Sequence, residues 1–171
     1  MRLALRNVLF TLVVPGAGAV YGPWLILTMD GSNARPVAWP ALALIIGGVL
    51  LYGICQWAFA AVGRGTPGPW DAPTRFVAVG PYRWVRNPIY IAAVMVLLGE
   101  AWLFMSLALL VYAMFAAVGC HLFVVLYEEP TLRRRFGAEY ELYGRKVRRW
   151  IPGAPRTANL SLECPRIGRR T

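Results

Sequence analysis

Residues 89–127 read "IYIAAVMVLLGEAWLFMSLALLVYAMFAAVGCHLFVVLY", one apolar run whose only acidic or basic side chains are Glu100 and His121. A helix that crosses a bilayer takes roughly 20 residues at about 1.5 Å of rise each. The run is about twice that length, so it predicts two spanning helices with almost no loop between them. The reversal is expected within residues 103–106. That arrangement is a tight hairpin, and it constrains the rest of the chain. Whatever precedes Ile89 must lie beside whatever follows Tyr127, although many residues separate them in sequence.

Two further apolar segments, at about residues 8–29 and 37–62, raise the expected count to four helices. Of 171 residues, 58% are hydrophobic and 15% charged, whereas a soluble domain carries roughly 25% charged residues. The chain is therefore read as an all-α, polytopic membrane bundle. The first segment has some look of a cleaved leader, with a basic "MRLALR" and a possible cut near Ala17–Ala19, but "VYGPWLILTM" continues apolar past it and favours a retained helix. Pro15 is expected to kink that helix, and Gly18 and Gly22 to permit close packing.

Basic residues set the expected orientation. Arg2 and Arg6 precede the first helix, Arg64, Arg75, Arg83 and Arg86 fall between the second and third, and the remainder follow Tyr127. With four helices, only Arg35 lies on the other side. Both termini are then expected in the cytoplasm, in a bacterial plasma membrane. The net charge of +10 avoids the apolar runs, which suits anionic headgroups, and no nucleic-acid partner is expected. Residues 1–152 are read as one domain. Within it "EEPTLRRRFGAEYELYGRKVRRWIP" forms short amphipathic helices, with Leu132, Phe136, Tyr140 and Tyr143 at helical spacing. Residues 153–171 are read as a disordered basic tail. Cys55, Cys120 and Cys164 match no metal or disulfide spacing, so neither is expected.

The hairpin brings "GPYRWVRNPIY" (residues 80–90) to "YEEP" (residues 127–130). Asn87-Pro88 reads as a helix cap followed by proline at the first helical position. The helix start presents free N–H groups and positive potential, suited to a carboxylate or phosphate. Arg83 and Arg86 add positive charge. Glu128 and Glu129 suit an ammonium, a sulfonium or a ribose diol. Tyr82, Trp84, Tyr90 and Tyr127 offer flat surfaces for a purine. S-adenosylmethionine carries this whole set of groups. Simpler readings exist for each part: Arg83, Trp84 and Arg86 as an interface belt, and the glutamates as acids at a helix start, paired with Arg133 or Arg134.

These residues resemble the membrane-embedded methyltransferases that include isoprenylcysteine carboxyl methyltransferase and the phospholipid N-methyltransferases. The family signature Arg-His-Pro-x-Tyr is matched by Arg86, Asn87, Pro88 and Tyr90, and its later Glu-Glu pair by Glu128 and Glu129. The likeness spans about residues 65–152. It implies S-adenosylmethionine at the hairpin mouth and a lipophilic acceptor, carboxylate or amine, entering from the lipid. It implies cofactor contacts from Arg86, Asn87, Pro88, Tyr90, Glu128 and Glu129; Tyr82 joins that set for its flat face, and Arg86 and His121 are the expected catalytic residues. Asn87 stands where the family has histidine, which removes a group that titrates near neutral pH. His121, the only histidine, lies seven residues before Glu128 and is expected on the same inward face, as a proton acceptor or an orienting group. The competing reading is a non-catalytic membrane protein whose basic segments bind anionic lipid or a partner. A reductase-like enzyme with a nicotinamide cofactor ranks behind both, since no Gly-rich phosphate loop is present.

Overall fold

The computed structural model describes residues 15–30, 38–63 and 77–153. Expectations for the chain's first residues, for Arg35, Arg64 and Arg75, and for the tail beyond Gly153 lie outside the described residues. The described residues are mostly helical and contain no strand, only an isolated parallel bridge between Val85 and Arg148.

A π-helical turn, Ala17–Tyr21, leads into α1, Gly22–Asp30. The turn has a local cause. The Tyr112 hydroxyl, from a later helix, donates to the Gly18 carbonyl at 2.8 Å. The Gly22 N–H, which would take that carbonyl in a regular helix, donates to Ala17 O instead. A Cβ on Gly22 would stand 2.7 Å from the Tyr112 oxygen. Gly22 thus makes room for a side chain here, and the irregularity falls in the turn after Pro15.

Helix α2, Trp39–Ala58, starts on a proline in its first turn and runs through the π turn Phe59–Gly63. Helix α3 is Pro88–Phe104. The two pack along a seam of small residues. Ala41, Gly48 and Cys55 recur every seven residues on α2, and Ala92 and Gly99 do so on α3; all are buried. A Cβ on Gly48 would come within 2.8 Å of Ala92 O, and one on Gly99 within 2.9 Å of Ala41 O. The backbones approach this closely only because side chains are missing.

Met105 and Ser106 separate α3 from α4, Leu107–Phe123. Met105 adopts left-handed geometry, φ 49° and ψ 34°, and closes α3. Ser106 caps α4, its Oγ accepting from the Leu109 N–H at 3.3 Å. The same hydroxyl donates to the Asp30 carboxylate at 3.0 Å, which ties the end of α1 to the α3–α4 connection.

Helix α4 does not stop before the glutamates. It continues through a π turn, Val124–Glu128, into α5, Glu129–Phe136. The separate short helix expected within "EEPTLRRRF" is therefore the end of a continuous helix. Proline lacks an N–H and its ring crowds the carbonyl four residues back. The π turn directly ahead, with Glu129 N–H bonded to Val124 O, opens the ladder where that conflict falls. Gly137, at φ 53°, breaks the helix, and α6 follows as Ala138–Lys146. Tyr140 and Tyr143 point inward as their spacing predicts. The last residues are not helical: Val147 is extended, and residues 147–153 form a strap back across the start of α3.

Trp39–Val62 and Leu107–Phe136 are each long and apolar enough to cross a membrane, and Pro88–Phe104 is a shorter apolar helix. Their large side chains face outward. Trp57, Leu107, Phe115 and Leu126 are 70–73% exposed, while the buried seam is alanine, glycine and cysteine. Water would penalise so broad an apolar exterior. Lipid does not, and there small-residue packing holds helices together.

Candidate functional site

The start of α3 is assembled from both ends of the fold. A short 3-10 turn, Gly80–Arg83, delivers Tyr82 into the core and leaves Arg83 and Trp84 exposed. Pro88 occupies the first turn of α3. Asn87 stands at the cap position but does not cap. Its side-chain amide is buried and donates 3.1 Å to the carbonyl of Arg149. The capping role expected of Asn87 is thus replaced by a tie to the strap. Two backbone bonds extend that tie: Arg86 N–H to Arg148 O at 2.9 Å, and Gly153 N–H to Trp84 O at 3.0 Å.

Across from this start lie the two glutamates. Glu129 is only 5% exposed. Its Oε1 accepts from Arg86 Nη1 at 3.1 Å and Arg149 Nε at 2.7 Å, and its Oε2 accepts from Arg149 Nη2 at 2.9 Å. Two guanidiniums on one carboxylate, one of them bidentate, satisfy a buried charge that would otherwise be costly. In return, Glu129 holds the Arg149 guanidinium above its ordinary pKa. Glu128 is different. The Tyr90 hydroxyl donates to its Oε2 at 2.7 Å. Among the described residues no arginine or lysine pairs with it.

A layer of tyrosines supports the pair. Tyr143 is buried and donates to the Tyr82 carbonyl at 2.7 Å; burial pushes its phenol well up, so it stays a neutral donor. Gly144 lies beside Arg86, whose Nη1 is 3.5 Å from where a Cβ would stand, an ordinary contact distance. The Nε–H of Arg86 is buried with no partner among the described residues. Tyr90 and Phe123 meet edge-on at 6.5 Å between centroids, and Phe123 lies 5.2 Å from Tyr127, which is half exposed.

Arg86, Asn87, Pro88, Tyr90, Glu128 and Glu129 therefore converge on one end of the molecule. Two expected members do not take the place foreseen for them. Tyr82 offers no face to a purine: it is 6% exposed, packed with Cys55, Ala58 and Val77, and set edge-on to Phe59 at 5.5 Å. Burial there drives its phenol pKa well up. His121 does not face inward with Glu128. It is exposed, and its Nδ1 accepts from the Trp150 indole at 3.0 Å. The reason is the π turn between them. Its wider turn breaks the register that would place residues seven apart on one face.

The residues missed by sequence reading are Arg149 and Trp150. Both were absorbed into an expected amphipathic helix. The signal that could have separated them is "KVRRWIP", where a β-branched valine and a proline bracket Arg148 and Arg149.

A cation-poor carboxylate and an arginine-bound one, side by side at the end of a lipid-facing helix, define a membrane protein with a polar site at one end. The phospholipid methyltransferase family model matches residues 37–139, well over half of the 171-residue chain, and the chain belongs to that family. No curated protein matches it significantly. The matched region carries Arg86, Asn87, Pro88, Tyr90, Glu128 and Glu129 and ends before the strap.

Proposed function

We propose that this protein transfers a methyl group from S-adenosylmethionine to a lipophilic acceptor held in the membrane. The observation that carries the reading is Glu128, a partly buried carboxylate that receives the Tyr90 phenol and, among the described residues, no guanidinium. Burying such a charge is costly without a positive partner, and a sulfonium, an ammonium or a ribose diol would provide one. The unpartnered Arg86 Nε–H suits the carboxylate of the same ligand. The residues present therefore fit this cofactor. When bound, S-adenosylmethionine supplies a methyl already activated by its sulfonium, so the protein's work is positioning and exclusion of water. Tyr90 fixes Glu128, Arg86 bridges Glu129 and the ligand, and the Pro88 helix start adds positive potential.

The fuller architecture belongs to the same proposal. The chain crosses the membrane four times, α3 and α4 form a hairpin, and both termini face the cytoplasm, where most of the basic residues lie. Exposed Arg133, Arg134 and Arg135 then rest on anionic headgroups. The acceptor enters past Phe123 and Tyr127 from the lipid. His121 is exposed and its Nδ1 is taken by the Trp150 indole, so it ties the strap to α4 rather than meeting the ligand beside Glu128.

Calorimetry on the purified full chain in detergent tests the reading. S-adenosylmethionine and its demethylated product should both bind. An absence of binding heat and of thermal shift with either would overturn the enzyme reading and favour a non-catalytic, lipid-binding protein.

A further inference from the structure

We infer that Arg149 is a positioning residue for this site: by taking both oxygens of Glu129, it fixes the strap over the start of α3 and leaves Glu128 as the carboxylate that meets the ligand's cation. The inference rests on the proposed methyl transfer and adds a residue that lies beyond the matched family region.

The geometry separates two glutamates that are adjacent in sequence. Arg149 Nε and Nη2 reach Glu129 at 2.7 and 2.9 Å, while Arg86 makes one longer contact at 3.1 Å. Remove the Arg149 guanidinium and Glu129 keeps only that longer contact. A second under-neutralised carboxylate would then stand beside Glu128. It could draw Arg86 away from the ligand or compete for the ligand's positive groups. Arg149 prevents both without touching the ligand.

Its placement is itself held by the site. The Arg149 carbonyl takes the Asn87 amide, the Arg148 carbonyl takes the Arg86 N–H, and Trp150 is bonded to His121. The strap is therefore attached just ahead of α3 at three positions, through the Trp84 carbonyl, the Arg86 N–H and the Asn87 side-chain amide. Its one charged anchor in the site is Arg149. The position where Asn87 replaces the family histidine is the position that sets this anchor. An amide donor is sufficient for that task, with no titratable group required.

The test compares wild type, Arg149→Gln, Arg149→Lys, Glu129→Gln and the Arg149→Gln/Glu129→Gln double variant. Each is purified as the full chain, with helicity checked by circular dichroism. Readouts are S-adenosylmethionine affinity by calorimetry and KM and kcat for methyl transfer into lipid extract. Arg149→Gln should weaken affinity about tenfold, the scale of one charged hydrogen bond, with a matching rise in KM and kcat changed by less than about threefold. Arg149→Lys, which keeps the charge but not the fork, should recover part of the loss. The double variant should be no weaker than the worse single variant, because Arg149 acts through Glu129. Wild-type affinity in a folded Arg149→Gln or, if that variant does not fold, in Arg149→Ala and Arg149→Lys alike overturns the inference. So do losses that multiply in the double variant, or a fall confined to kcat. A wild-type protein that fails to bind the cofactor overturns the methyltransferase reading and this inference with it, whereas a binding wild type beside an unaffected Arg149→Gln overturns this inference alone.

Discussion

At Glu129 two guanidiniums converge on one carboxylate; at Glu128, one residue earlier, a single phenol donates. Equivalent substitutions should therefore have different consequences. Glu128→Gln keeps the Tyr90 hydrogen bond and removes a charge that no arginine among the described residues balances, so folding should be unchanged and cofactor affinity lost; calorimetry with a thermal melt separates the two. Glu129→Gln leaves two partly buried arginines, Arg86 and Arg149, short of their counter-charge. It should cost about 3 kcal/mol of stability as well as binding, read as a lowered midpoint in denaturant. Asn87→Ala strands the Arg149 carbonyl and should cost about 1 kcal/mol by the same measurement. At this scale the sequence made Arg86, Asn87, Pro88, Tyr90 and the glutamates legible because each carries distinctive chemistry at a helix end. Arg149 was hidden among neighbouring arginines, since nothing local marks which of several like charges will find a buried carboxylate.

Among elements, the α2–α3 contact depends on absent side chains. Gly48 lies against Ala92 O and the Val96 side chain, both at 2.8 Å from a hypothetical Cβ, and backbone cannot give way as a flexible side chain can. Gly48→Ala should destabilise by about 1–3 kcal/mol, the cost of overpacking a close contact, measured by unfolding of the purified protein in mixed micelles. Gly53 has open space at its Cβ position. Gly53→Ala should therefore be neutral or slightly stabilising in the same assay, by about 0.5–1 kcal/mol from helix propensity. The apolar segments and their helical character were legible from length and composition. The π turns were not: the one at Ala17–Tyr21 arises from Tyr112, far away in sequence, and the one at Val124–Glu128 from the conflict around Pro130. The second turned His121 away from the face that regular spacing assigns it. The strap escaped notice for a related reason, since the tyrosine periodicity of α6 runs straight up to it.

At the scale of the whole molecule, the described helices meet through small residues, carry many large apolar side chains on the outside, and gather polar groups at the ends. At one end Asp30 and Ser106 close the α1 connection. At the other the strap, the start of α3 and the end of the α4 helix share one ion network. A bilayer explains the exterior, and membership of the phospholipid methyltransferase family explains why a charged site sits at its edge. The most direct test of the central claim is transfer of a radiolabelled methyl group from S-adenosylmethionine into a lipid extract by the reconstituted full chain. Label should appear in an organic-soluble lipid with wild type, and at least about a hundredfold less with Glu128→Gln, as expected when a binding charge and its orientation are both lost. Background-level label in every lipid fraction with folded wild-type protein, or equal labelling by Glu128→Gln, would contradict that claim.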